Sequence, residues 1–166
     1  MRHAELTASV YAAVGAALRG APCHAYSSDL KICVAENTLY TYADMTVVCS
    51  PLQRSRRDHN AVMNAAVIVE VLSDTTEAYD RGEKFSAYRR IPTLRDYLLV
   101  SHNRVAIEHF HRCEDGSWTL RMLKADDTLN LDSIGISVRV AEIYEGVSLL
   151  PGRWGPRNQL GDVSRG

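Results

Sequence analysis

The run Val67-Ile68-Val69-Glu70-Val71-Leu72 sets a glutamate inside a short, β-branched apolar stretch. Such a run has the length and Val/Ile content of a strand covered on both faces, where an unpaired carboxylate costs several kcal/mol. Glu70 therefore requires a partner: a buried ion pair, a proton of its own, or a metal ion. Any fold open to this chain must supply one of the three at that point of its sheet.

The 166 residues are enough to bury about two-thirds of the unfolded surface around one core without staples. A single domain over residues 1–150 is expected, followed by a glycine- and proline-rich tail over 151–166 with little periodicity, expected to be disordered. Nineteen basic and twenty acidic side chains leave a net charge of −1, which excludes a global basic field of the kind that gathers nucleic acid. Any DNA contact must come from a local patch. The four cysteines, Cys23, Cys33, Cys49 and Cys113, form no C-x-x-C pair, and the N-terminus has no signal-peptide pattern, so reduced thiols in a cytoplasmic protein are expected. No stretch approaches the roughly 20 apolar residues of a membrane span, so no membrane partner is expected.

Along residues 3–19, Leu6, Val10, Ala13, Val14 and Ala17 recur at helical spacing, and Gly20-Ala21-Pro22 stops the pattern. Two strand-like runs follow, Leu30 to Val34 and Met45 to Val48, joined by a polar turn near Glu36-Asn37. After the Glu70 strand, Thr75 and Thr76 offer helix-start chemistry, and Asp80 with Glu83 has the spacing of a capping box; this helix is expected to end near Arg90, before Pro92. LRDYLLVS reads as another buried strand, and Glu114-Asp115-Gly116 as the turn between the strands RVAIEHFHR and WTLRMLK. A short final strand and helix are expected in LDSIGISVRVAEIYEGV. The order predicts an α/β fold with a sheet flanked by helices, either one on each face or both on one.

Asp44 stands at the entrance of one apolar strand and Glu70 inside another, with Lys84 one helix further on. Two carboxylates on neighbouring strands with a lysine nearby fit a divalent-metal nuclease site, in which hard oxygens hold Mg²⁺ and the ammonium orients or deprotonates the attacking water. The same spacing also fits a plain structural ion pair between Glu70 and Lys84. Tyr88, one turn beyond Lys84, reads as a core residue of the helix, and Ser73 as the start of a turn. His109 and His111 alternate on a strand and project from one face. With no cysteine or further histidine suitably spaced, they are expected to face solvent rather than hold a transition metal.

The segments YTYADMTVVC, VIVEVLSDTTEAYDRGEKFSAYRRIPTLRDYLLVS and RVAIEHFHR, with GSWTL after it, resemble the Uma-two family, a branch of the PD-(D/E)XK nuclease superfamily. The resemblance runs from about His3 to Val147 and implies a restriction endonuclease-like core, a mixed β-sheet flanked by helices. It implies Asp44 and Glu70 as metal ligands, Mg²⁺ as the cofactor with Mn²⁺ able to substitute, and DNA as the substrate of an endodeoxyribonuclease. By analogy with nucleases that cut both strands, it also implies a homodimer. The superfamily's usual lysine position, two residues after the second acid, is Leu72 here, so Lys84 in DRGEK is the residue that would supply the ammonium, with Asp80 one turn earlier to orient it. Arg54, Arg56, Arg57, Arg89 and Arg90 are the candidates for phosphate contacts.

Three features depart from the family pattern: Ala43 replaces the usual proline before the aspartate, Ala65-Ala66 replaces a polar-proline pair, and the chain starts almost at its first helix, where an acidic segment is usual. Glu5 is the nearest acid to replace it. Leu72 and this N-terminus also fit an alternative, a catalytically inactive nuclease fold that binds DNA or regulates.

Overall fold

The computed structural model describes residues 2–35 and 39–149. A six-stranded mixed sheet forms its centre, in the order β1-β4-β6-β7-β8-β9. These strands are β1 Cys23–Ser27, β4 Met45–Cys49, β6 Ala65–Val71, β7 Asp96–Val100, β8 Ile107–Arg112 and β9 Trp118–Leu123. Only β6 and β7 run parallel; the remaining neighbours are antiparallel. That central parallel pair is covered on both sides, which is why AAVIVEV and DYLLV carry almost continuous apolar runs.

Alternation along β6 divides the core in two. Val67, Val69 and Val71 pack with Leu98 and Val100 beneath the helix α1, Arg2–Ala17, through its buried Leu6, Val10 and Val14. Ile68 and Leu72 face the other way and pack with Tyr97, Leu99 and Tyr88. Tyr88 belongs to a helical stretch made of α2 (Glu77–Tyr79), a π-helical turn (Asp80–Lys84) and α3 (Phe85–Tyr88). Helices therefore cover both faces, one of the two arrangements expected from the element order.

A smaller sheet, in the order β3-β2-β5, is built from β3 Leu39–Tyr42, β2 Lys31–Ala35 and β5 Ala61–Val62. The hairpin of β10 (Thr128–Leu131) and β11 (Ile136–Arg139) and the helix α4 (Val140–Ile143) close the α1 side, where Leu129, Leu131, Val138 and Ile143 are buried. The β8–β9 turn is made as expected, with Gly116 at φ +83°, in the left-handed region that glycine adopts without strain. Gly20, at φ +81°, ends the first helical segment.

Three expectations are corrected. The chain holds short strands that the sequence pattern did not show: β1 and β3 have four or five residues, each partly exposed on both faces, so neither has a clean period of two. Asp80 is not a helix start, for Thr76 holds the N-cap position and Asp80 lies buried inside the helical stretch. Cys23 and Cys49 form a disulfide rather than two free thiols, because the β1–β4 register sets them directly opposite each other. Cys33 and Cys113 are free. The turn near Glu36-Asn37 and the tail 151–166 lie outside the described residues.

Leu98 is 1 % exposed between β6 and β8, packed against the α1 side of the core. Leu98→Ala is expected to cost about 2–5 kcal/mol of folding free energy, read as a lower urea midpoint at unchanged slope.

Candidate active site

The antiparallel register pairs Met45 with Val69, which sets Asp44, the residue just before β4, opposite Glu70 of β6, and Glu70 faces the α3 side of the sheet, where Tyr88 packs. Asp44 is tied to this position, since its Oδ2 accepts the Val71 backbone N–H at 2.7 Å. His3, from the first turn of α1, places Nε2 3.3 Å from the same oxygen. Both contacts fall on Oδ2, so Oδ1 is the oxygen neither of them uses. A cavity bounded by α1 and β1 residues, among them Thr7, Tyr11 and Ser27, opens onto Asp44.

Glu70 lies deeper, its side chain only 3 % exposed. Lys84 Nζ stands 2.9 Å from Glu70 Oε1, and the Tyr88 hydroxyl donates to that oxygen at 2.8 Å. Again one oxygen takes both contacts, leaving Oε2 outside them. Burial pushes the Glu70 carboxyl up to about 7; the ammonium of Lys84 opposes this shift, and the nearby charge of Asp44 adds to it. Burial alone would draw the Lys84 ammonium down, but the Glu70 and Asp80 carboxylates outweigh it and hold the amine above its usual range. The phenol of Tyr88 is held protonated by burial and by the charge of Glu70.

The helical stretch brings the lysine to this point. Asp80 Oδ1 lies 3.3 Å from Lys84 Nζ, and the π turn between them is a feature often found where a helix is bent to a task. Arg81 clamps the same turn to the sheet: its Nε donates to both oxygens of Glu108 on β8 at 3.1 Å, and its guanidinium also reaches Glu77. Glu70, Lys84, Asp80 and Asp44 thus gather at one end of the β4–β6 pair. Leu72 is buried in the apolar cluster with Tyr88, so a strand lysine is absent there and Lys84 reaches Glu70 from the helix instead.

The candidate arginines fall in two places. Arg54, Arg56 and Arg57 lie on the loop between β4 and β5, where Arg54 donates to the His59 carbonyl at 2.5 Å. Arg89 and Arg90 follow α3 and line a groove with Arg112 and Trp118, where the Arg112 guanidinium sits 5.0 Å over the indole ring. Glu5 is exposed on α1 and makes no contact with this site among the described interactions. Ser73 behaves as a turn residue, its hydroxyl within 2.9 Å of the Thr76 hydroxyl.

The chain matches the model of the family described as "Putative restriction endonuclease", Uma2, over residues 1–141. The chain belongs to the Uma2 family. This Uma2 chain is 44 % identical over 131 residues to the uncharacterized protein slr1290 of Synechocystis sp., covering 79 % of the chain and 68 % of that protein. A second uncharacterized Synechocystis protein, sll1609, is 32 % identical over 102 residues, covering 61 % of the chain and 58 % of that protein. In fold, the Uma2 chain is similar to a crystal structure titled as a "putative nuclease belonging to DUF820" from Anabaena variabilis, with a TM-score of 0.69 at 9 % identity over 87 % of this chain and 80 % of that one. A nuclease-like α/β architecture, a mixed sheet flanked by helices, is therefore the fold of this Uma2 chain.

Two contacts within the candidate site were not foreseen from the sequence. His3 reaches Asp44 from a distant helix, which no local spacing reveals. Tyr88 does pack in the core as expected, yet its hydroxyl also binds Glu70; its position four residues after Lys84, on the same helix face, was the available signal. His109 contradicts the solvent-facing expectation, being 5 % exposed, while the His111 side chain is 40 % exposed; both rings contact the buried Asp96. The charge at the head of the buried run Asp96-Tyr97-Leu98-Leu99-Val100 was the signal, of the same kind as Glu70.

Proposed function

We propose that this chain is a metal-dependent endonuclease that hydrolyses phosphodiester bonds in DNA, acting in the cytoplasm as a homodimer. The observation that supports it best is the register that sets Asp44, just before β4, opposite Glu70 of β6, with Lys84 2.9 Å from Glu70, in a chain of this family. The donor set fits a hard divalent ion such as Mg²⁺, with Mn²⁺ as a substitute: each carboxylate has one oxygen held by protein contacts and a second outside them. Asp44 and Glu70 are the residues that would hold the ion. When bound, it would polarise a phosphoryl oxygen and make water a better nucleophile.

The chain's own groups supply the rest. Lys84 offers a positive charge that would stabilise the developing charge on phosphate or position the attacking water. Asp80 orients that amine and Arg81 fixes the turn that carries it. Tyr88 and Lys84 both hold Glu70 Oε1, which leaves Oε2 outside those two contacts. Arg54, Arg56, Arg57, Arg89 and Arg90 are proposed phosphate contacts; the Arg89–Arg90 groove, with its arginine stacked on Trp118, suits a strand of nucleic acid by charge and by stacking. In a reducing compartment the Cys23–Cys49 bond would open, and β1 would be held to β4 by its backbone ladder alone.

Cleavage of single- and double-stranded DNA with Mg²⁺ and with Mn²⁺ tests this reading, with metal uptake followed by calorimetry. Wild type is expected to bind the ion and cut, and Asp44→Ala to do neither. Lys84→Met is expected to keep metal binding while cutting about 10²–10³-fold more slowly, the size of loss seen when one stabiliser of transition-state charge is removed. Neither uptake nor cleavage by wild type would assign Glu70 to a structural ion pair and leave a nuclease fold that binds or regulates without catalysis.

A further inference from the structure

On the sheet face opposite Glu70, a second group of ligand-bearing side chains converges. The β7–β8 register sets Asp96 directly across from His111 and Leu98 across from His109. Because His109 and His111 are two apart on one strand, both project to the α1 side of the sheet, the side on which Leu98 and Val100 of β7 are buried. His109 Nε2 and His111 Nδ1 each stand 2.7 Å from Asp96 Oδ1. All three ligand atoms fall within 4.8 Å of one another.

We propose that Asp96, His109 and His111 form a binding site for a borderline-soft first-row cation such as Zn²⁺, separate from the carboxylate site of Asp44 and Glu70. Two imidazoles and one carboxylate are the ligand number and type of a three-ligand zinc site with a fourth position left open. Nitrogen donors also separate it from a Mg²⁺ site, which is built from oxygen.

Its surroundings are those of a built site. Asp96 is fully buried, and its second oxygen, Oδ2, accepts the Ser133 hydroxyl at 2.5 Å, so Oδ1 is turned toward both rings. An outer hydrogen bond of this kind orients a ligating carboxylate. The His109 side chain is 6 % exposed while that of His111 is 40 % exposed, which gives an ion a way in from one side. Both rings border a small cavity of about 170 Å³ whose wall includes Asn130 and Asp132, two further oxygen donors, together with Arg121.

A purely structural role would also satisfy these groups, with each ring donating a proton to Asp96. The two roles differ in what the site does with an added ion. The test is made in the Glu70→Gln protein, so that the carboxylate site contributes nothing and the result does not depend on nuclease activity. Zn²⁺ is titrated by calorimetry and Co²⁺ by visible absorption, with circular dichroism confirming the fold. One Zn²⁺ per chain and a Co²⁺ spectrum of low-coordinate nitrogen–oxygen type are expected. Adding His111→Gln is expected to weaken Zn²⁺ at least about tenfold, and Ser133→Ala, which keeps every ligand, by roughly tenfold. If His111→Gln does not fold, Ser133→Ala decides alone. No uptake by the folded parent would overturn the site, as would Zn²⁺ bound equally tightly after both changes, which would place the ion on other groups such as Cys113.

Discussion

Glu70→Gln is expected to lower the rate of DNA cleavage by roughly 10³-fold or more while the protein stays folded. The change keeps the volume and hydrogen-bonding reach of the side chain but removes the charge a divalent ion requires, and a metal contributes several kcal/mol of charge stabilisation in such sites, each 1.4 kcal/mol being about a tenfold in rate. Glutamine can still accept from Lys84 and Tyr88, so the contacts that place the helix survive in weaker form. Rates of plasmid nicking under saturating Mn²⁺ measure the effect. A variant that cuts within about tenfold of wild type would remove Glu70 from the chemistry and return it to the role of a buried ion-pair partner.

The second large effect concerns stability. With its carboxyl held at about 7 in the folded chain against an ordinary value of 4.5, Glu70 favours folding in its protonated form. That contribution is fully present below about pH 4.5 and is lost as pH rises through 7. The difference corresponds to about 3 kcal/mol across the window, since each pKa unit is worth about 1.4 kcal/mol. Metal-free protein is therefore expected to lose about 2.5 kcal/mol of that stability between pH 5 and pH 8, measured by urea unfolding in the presence of a chelator. Glu70→Gln removes the titration and should flatten the curve. The Asp96 carboxyl does not blur the result: burial opposes its ionisation, yet the hydrogen bonds from His109, Ser133 and His111 outweigh it and hold it below 3.8, so its contribution is lost only toward acid. Adding Mg²⁺ or Mn²⁺ above pH 7 should restore wild-type stability, because the ion binds the charged form of the folded chain. Parallel curves for wild type and variant from pH 5 to 8 would show that Glu70 is ionised throughout.

Elements whose residues are governed by their immediate neighbours were legible in the sequence. The spacing of Leu6, Val10 and Val14 placed α1, the apolar run placed β6, and Glu114-Asp115-Gly116 placed the β8–β9 turn. Glu70 was conspicuous because a charge inside a covered strand demands an explanation; Asp80 was linked to Lys84 by helical spacing, and Lys84 to Glu70 mainly by the family resemblance. What could not be read was pairing between distant segments. The opposition of Cys23 and Cys49 follows from a strand register, and so does the convergence of His109 and His111 on Asp96. The contact of His3 with Asp44 depends on how α1 crosses the sheet. Asp80 misled for a different reason: an aspartate three residues before a glutamate suits a helix start, but burial beside Lys84 outweighs that local preference.

A lysine carried on a helix is placed by whatever holds the helix, and here that is a keel of aromatic rings. Phe85, the residue after Lys84, stacks on Tyr97 of β7 at 5.1 Å, touches Phe110 of β8 at 4.5 Å and meets Trp118 of β9 edge-on at 5.2 Å. The position of one ammonium group is thus gauged against three successive strands running to the far rim of the sheet. Drift in the volume of any of those rings, even at Trp118, would retune the distance between Lys84 and Glu70 without touching either residue.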